Sequence, residues 1–544
     1  MSLAIVALTT ICVASCLYYI FWTLFLGPLA RIPGPKSFAI TSWKLAKEDY
    51  KGTRTRKLHH LHQKYGPAVR VGPDEISFNS VTALRQIYGA GSPFGRPASF
   101  YRVFDIYGQA HMFTYHSTLE HSSRKKIMSQ LYAKSTVLKG PVADSIETKV
   151  KKFLNLIESD PRTASHLTQS LHYFSLDNIT WMVFRDRGST NALSGNTSDK
   201  QILSDIEQPT ARRYVWFQIH LPRYTRLIMS CSSHLSSIFD AFNLLPGRKP
   251  LAYSGLQDYA LATFNNYRFH KSVISTNDDG LMSRLIHEQD PNYGKGSLSD
   301  MEIAAECADH LDAGLKTTSD TLMFALWVLS RPEHIKYQER LVTEIKSATD
   351  LSRTGANMGP VLPAEICDRL PFLDAVVKET LRLYAPIPAS QPRTSTRDVV
   401  VDGFHIPAGT IVSCQAFSLH RNPQVFPDPY TFNPDRWLAV DADVAEMKRW
   451  WWPFSSGGRM CLGMQLVFIV PSRYYGKSNL RIVSVNSLAL AEIKTLLASI
   501  YSSYRTTLAQ EFKGLSPTAT SRFELVYDDS FAIDEASSIY RSHA

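Results

Sequence analysis

The chain has 544 residues, 44% of them hydrophobic and 20% charged, with a formal net charge of +10. That balance excludes a disordered or fibrous chain and leaves enough apolar material for a core that encloses a cofactor. The positive excess favours acidic partners, but there is neither zinc-finger spacing nor a dense basic stripe, so no nucleic-acid partner is expected.

Residues 3–26 are apolar and carry no charged side chain. A run of about 24 residues spans a bilayer. A cleaved signal peptide would have a charged start and a shorter apolar core. The first basic residues, Arg31, Lys36, Lys44 and Lys47, all follow the run. By the positive-inside rule they stay cytosolic, so a single-pass anchor with a luminal N-terminus is expected, in contact with membrane lipid. Residues 1–30 are read as anchor and flank. Pro33-Gly34-Pro35 opens a stiff hinge and linker over residues 31–50, and residues 51–544 are read as one globular body.

Residues 65–78 hold two β-prone runs split at Gly72-Pro73 and predict a hairpin. The pattern from about 119 to 350 is mainly helical. Within it, residues 301–329 form a long helix broken only by Gly314. Residues 370–384 form another, stopped by Pro386 and Pro388. Short β-prone runs follow over 399–412, then a Pro-rich irregular stretch to Pro453.

The seven cysteines form no disulfide framework. Cys12 and Cys16 lie in the anchor, and Cys231, Cys307, Cys367 and Cys414 sit singly as small hydrophobes. Cys461 differs, because it lies in Phe454-Ser455-Ser456-Gly457-Gly458-Arg459-Met460-Cys461-Leu462-Gly463. A thiolate ligand needs nearby N–H donors and positive charge to hold its anion. A glycine-containing turn leading into a helix N-terminus supplies both. Arg459 can reach an acidic group, and Phe454 can shield the sulfur.

This segment fits FxxGxRxCxG, the signature of the cytochrome P450 family, at every fixed position, and the chain resembles that family's filamentous-fungal members. The resemblance implies a mainly α fold with a small β-rich region. It implies haem b with Cys461 as axial iron ligand, and Arg459, Phe454 and Gly457 as further cofactor-binding residues. Glu379-Thr380-Leu381-Arg382, with Glu379 and Arg382 one helical turn apart, resembles a second family motif. Phe432-Asn433-Pro434-Asp435-Arg436-Trp437 resembles the segment whose arginine, Arg436, completes a structural Glu–Arg–Arg network. Ala313-Gly314-Leu315-Lys316-Thr317-Thr318 resembles the oxygen-binding kink, with Gly314 leaving room for dioxygen and Thr317 and Thr318 offering hydroxyls. Arg393 and the pair His121 and Lys125 take the positions of propionate-binding residues. Where the family has Asp or Glu, this chain has Lys316, which puts the usual proton relay in question. The aromatic-rich stretch 94–115 implies an apolar or aromatic-rich pocket.

The implied reaction is insertion of one oxygen atom from O2 into an apolar small molecule, in the biosynthesis of a mycotoxin-like secondary metabolite. Electrons would come from NADPH through a separate NADPH–cytochrome P450 reductase, with cytochrome b5 as a second donor, at the endoplasmic reticulum membrane with the catalytic domain cytosolic. Alternatives are desaturation, cyclisation or coupling without net oxygen insertion, and an inactive membrane-anchored haem protein.

Residues 467–488 interrupt the helix expected after Cys461, with Pro471, Gly476 and a β-branched run. Excising them restores one amphipathic helix. They read as an insertion, either a surface loop or a translated intron. Val467 can be encoded with an initial GT, Ser478-Asn479 with a CTAAC branch point and Ser487 with a terminal AG.

Overall fold

A computed structural model describes residues 2–159, 164–204, 210–230, 254–269, 279–290, 298–353, 361–439, 442–464, 488–508 and 538–543. Cys231 and most of the 467–488 insertion lie outside these residues.

The chain opens with helix α1 (Ser2–Phe21), continued by a wider turn over Trp22–Leu26. Ala4–Leu26 is apolar and long enough to cross a membrane, and most of its side chains are exposed. Its end is tied to the body. Arg70 donates from Nη1 to the Thr23 carbonyl at 2.7 Å, and its own N–H bonds the Pro33 carbonyl at 2.7 Å. The linker is likewise held down, because Phe38 and Leu45 bury against Leu58, Leu61, Val69 and Val71. Residues 31–50 therefore lie against the body, where hydrophobic burial outweighs the stiffness of their prolines.

The expected hairpin forms from β1 (Ala68–Arg70) and β2 (Glu75–Phe78), with Val69 opposite Ser77. Next come helices α2 (Thr118–Met128), α3 (Gly140–Glu158), α4 (Leu167–Phe184), α5 (Ser254–Phe269), α6 (Asp300–Leu329) and α7 (Pro371–Leu383). Strands β3 (Arg393–Thr394), β4 (Val399–Val401), β5 (Phe404–Ile406) and β6 (Ile411–Cys414) follow, then α8 (Leu488–Ser503). The first sheet runs β1-β2-β6-β3, with β6 parallel to β2, and β4 and β5 form a separate hairpin. A second sheet pairs Ala164–His166, Ser538–His543 and Tyr504–Leu508. The fold is mainly helical, with small sheets at the side.

Helix α6 is the spine. Ser299 caps it, accepting from Glu302 N at 3.2 Å while Glu302 Oε2 accepts from Ser299 N at 2.8 Å. This reciprocal pair satisfies donors that a helix N-terminus leaves open. Its thirty residues are about 45 Å long and apolar on most sides, so the helix runs through the interior. Helix α4 lies along it, and α3, α7 and α8 complete the main core. Pro371 at the first turn of α7 is preorganised for a helix start.

Candidate active site

The Cys461 loop folds on itself. Cys461 N donates to the Phe454 carbonyl at 3.0 Å, and Met460 N donates to that of Gly457 at 3.1 Å. Gly457 has φ +65°, and a Cβ there would lie 2.2 Å from the Tyr88 carbonyl oxygen, so only glycine fits. The exposed surface of Cys461 faces a cavity of ≈1270 Å³ that the loop floors. Burial pushes its thiol up, while the Gly463 and Met464 N–H groups and the Lys125 ammonium pull the other way. Lys125 was expected at a propionate. Its ammonium donates to the Gly458 and Met460 carbonyls, at 3.0 and 2.8 Å, because the last turn of α2 lies against this loop.

Seven of the sequence-derived site residues line the cavity: His121, Gly314, Thr317, Thr318, Phe454, Arg459 and Cys461. Thr317 Oγ1 donates to the Ala313 carbonyl at 2.6 Å, and α6 continues through this turn as an α-helix. A Cβ on Gly314 would lie 2.6 Å from Ile179 on α4. The glycine thus also serves the close packing of α4 on α6. Thr318 is buried, and the Glu492 carboxyl on α8 lies near its hydroxyl. Burial drives that carboxyl up to about 8, against the opposing pull of Lys149 and Thr318.

Above the loop, positive groups crowd together. Arg459 donates to the Tyr115 and His116 carbonyls at 2.8 and 3.0 Å. Arg393 is buried behind the cavity wall, donating to the Tyr101 hydroxyl at 2.8 Å. Arg96, which sequence reasoning missed, lies over the rings of Tyr101 and Phe113 at 4.9 and 4.8 Å. Burial, with Arg393 and Arg459, lowers its guanidinium to about 9 against the pull of Tyr101 and Asp309. Burial and then Arg459, Arg96, Lys125 and Arg393 hold His121 down to about 2. Arg96 Nε and Arg459 Nε are buried without a hydrogen-bond partner. Unspent donors and mutual repulsion among cations are the mark of a site built for an anion. These residues fit an acidic prosthetic group held above Cys461.

Glu379 on α7 is fully buried, as is Arg382. Its carboxylate accepts from Arg382 Nη2 and Nε, each at 2.8 Å, from Arg436 Nε at 3.0 Å and from Asn433 N at 3.0 Å. Trp437 Nε1 adds a fifth bond at 2.9 Å. Every lone pair is used, the condition under which a buried charge is tolerated.

The cavity wall is largely apolar and carries most of the expected aromatic residues. Phe100, Tyr101, Phe104, Tyr107 and Phe113 line it, but Phe94 packs into the sheet-side core, and the Tyr115 hydroxyl accepts from Arg124 at 2.7 Å. Charged groups share the lining, including Asp309, Asp312, Lys316 and Asp320 of α6. Asp309 pairs with His111 at 3.1 Å, and buried Glu306 one turn earlier pairs with Arg124 at 2.7 Å.

The sequence model of the cytochrome P450 family matches residues 33–467. The chain is 28% identical over 454 residues to cytochrome P450 monooxygenase aflV of Aspergillus parasiticus, covering 82% of each chain. It is 29% identical to cytochrome P450 monooxygenase stcB of Emericella nidulans, covering 81% of this chain and 79% of that one. It is 27% identical to cytochrome P450 monooxygenase tazI of Aspergillus terreus, covering 85% and 88%.

Proposed function

This chain belongs to the cytochrome P450 family, and from that premise we propose that it inserts one atom of O2 into an apolar small molecule of fungal secondary metabolism. The fungal relatives support the metabolic setting. Cys461 is the iron ligand in this reading. Arg96, Arg459 and His121 hold the propionates of haem b, with Arg393 supporting the wall behind them. Lys125 steadies the Cys461 loop through its two carbonyl contacts. Glu379, Arg382 and Arg436 hold the core beside the haem.

The haem, when bound, supplies the oxygen-activating iron, and its thiolate ligand favours O–O cleavage. The chain's own residues do the rest. The cavity shields the reacting centre from water, and the aromatic wall of Phe100, Phe104 and Phe113 orients an apolar ring. Thr317 and Thr318 offer hydroxyls on that face, and the raised Glu492 carboxyl keeps a proton beside Thr318. The family draws electrons from a reductase. Here the donor is read as NADPH–cytochrome P450 reductase, with cytochrome b5 as a second donor. The Ala4–Leu26 helix fits a membrane anchor, and the endoplasmic reticulum is the proposed membrane, with the body cytosolic.

The observation that carries this reading is Cys461 facing a large cavity that Thr317 also lines, together with two arginines, Arg96 and Arg459, that keep buried unspent donors. The test is the carbon monoxide difference spectrum of the reduced, membrane-expressed protein. A strongly red-shifted Soret band supports Cys461 ligation, and a Cys461→Ala variant should lose it. A band of a non-sulfur ligand in the unaltered protein would overturn it. Product mass then separates oxygen insertion from desaturation, cyclisation or coupling.

A further inference from the structure

The aromatic wall and the acidic face of α6 meet at one point. Phe104 lies 5.7 Å from both Phe100 and Phe113, ring centre to ring centre. His111 stacks on Phe113 at 6.5 Å with planes 20° apart. Its Nε2 lies 2.9 Å from the Phe104 carbonyl, and its Nδ1 lies 3.1 Å from Asp309 Oδ1. The imidazole thus joins the aromatic wall to a carboxylate on the facing helix.

Asp309 lines the cavity, and its side chain keeps 13% of its surface open. Its contact with His111 Nδ1 is one of charge and not an aligned hydrogen bond, and among the described residues neither oxygen of Asp309 takes a hydrogen bond. Beside it, His310 Nε2 is buried without a hydrogen-bond partner, 3.8 Å from Glu306 Oε1. Burial pushes the Asp309 carboxyl up, but His111, His310 and Arg96 outweigh that and leave it below the usual range. A carboxylate with an open oxygen in an enclosed site is an acceptor waiting for a donor, and leaving it unmet is costly.

We infer that Asp309, held by His111, is a specificity-determining anchor that selects flat aromatic substrates carrying a hydroxyl, which donates to its open carboxylate oxygen. This rests on the monooxygenase reading and narrows its substrate class. The ring stacks on Phe104 and Phe113, so the hydroxyl and the ring are read by adjoining groups. A neutral hydroxyl suits the site better than an ammonium. The charge of Asp309 is already balanced by a protonated His111, and Arg96 adds further positive potential.

The test is equilibrium dialysis of the haem-loaded full-length protein in detergent against three probes: 1-naphthol, 1-methoxynaphthalene and 1-naphthylmethylamine. One hydrogen bond to a charged acceptor predicts that 1-naphthol binds about tenfold or more tighter than its methyl ether. Asp309→Leu should bring that ratio to about one, and Asp309→Asn, which keeps an uncharged acceptor, should leave an intermediate ratio. His111→Gln should shift preference toward the amine. The inference is overturned if the unaltered protein binds naphthol and its methyl ether equally, or binds the amine tightest. It is also overturned if the preference survives Asp309→Leu or is undiminished in Asp309→Asn. The ratio separates this from the monooxygenase reading, because a naphthol preference without a thiolate-type carbon monoxide band would overturn that reading and leave the anchor standing.

Discussion

Gly463 and Ala489 stand side by side. A Cβ on Gly463 would lie 4.0 Å from the Ala489 Cβ and 3.4 Å from the Cys461 sulfur. Excising residues 467–488 would make the two positions i and i+4, the spacing at which helix side chains are neighbours. Leu466 would then precede Ala489 in place of the buried Leu488. The family match ends at residue 467, where the insertion begins. A variant lacking 467–488 is therefore expected to bind haem at least as fully as the whole chain, read as the carbon monoxide band per mole of protein. Messenger sequencing should find transcripts without the segment. Loss of haem from the deletion variant, with every transcript retaining the segment, would show that it is an integral loop.

The Glu379 network predicts stability. Burial pushes its carboxyl up, but the hydrogen bonds and charge of Arg382 and then of Arg436 outweigh burial and hold it below the usual range. Glu379→Gln leaves two buried guanidinium groups short of a counter-charge and should cost roughly 3–5 kcal/mol. Because the folded value is depressed, the network's stability is present above the unfolded carboxyl value and is lost as pH falls through the folded one. Thermal melts across the acid range should therefore steepen toward low pH in the parent and flatten in the glutamine variant.

Residues whose partners are near in sequence were the legible ones. Glu379 and Arg382 are three apart on one helix, and Cys461 bonds the carbonyl of Phe454 seven positions away. Such pairs leave a spacing to read. Arg96, the His111–Asp309 pair and the placing of Glu492 near Thr318 join segments distant in sequence, where only packing decides what meets. The charged part of the cavity wall was hidden for the same reason, since Asp309, Asp312, Lys316 and Asp320 come from α6 and Glu492 from α8. The contacts of Lys125 with the Cys461 loop likewise join segments far apart in sequence, so no spacing announces them.

His111 should make stability fall on the alkaline side. Burial pulls its imidazolium down, but Asp309, then Glu306 and the Phe104 carbonyl, raise it to about 9. A raised folded value gives stability that is full below the unfolded histidine value of about 6.5 and is lost as pH rises through the folded one. Denaturant melts between those values should show this slope in the parent and lose most of it in Asp309→Asn. An equal slope in both would mean that the pair is not what holds the proton.

Lys316 lines the cavity beside Thr317, where the family carries a carboxylate. An ammonium cannot accept a proton until it has lost one, so it cannot pass protons inward as a carboxylate does. Lys316→Asp is expected to raise product formed per NADPH several-fold and to lower peroxide release. The Glu492 carboxyl near Thr318 offers a second source, because a carboxyl raised to about 8 holds its proton at neutral pH and can give it up through a hydroxyl. The two routes separate by substitution. If Lys316→Asp leaves coupling unchanged while Glu492→Gln increases peroxide, protons arrive from the α8 side and Lys316 is no handicap. If Lys316→Asp improves coupling and Glu492→Gln changes nothing, the missing carboxylate at position 316 limits the parent enzyme.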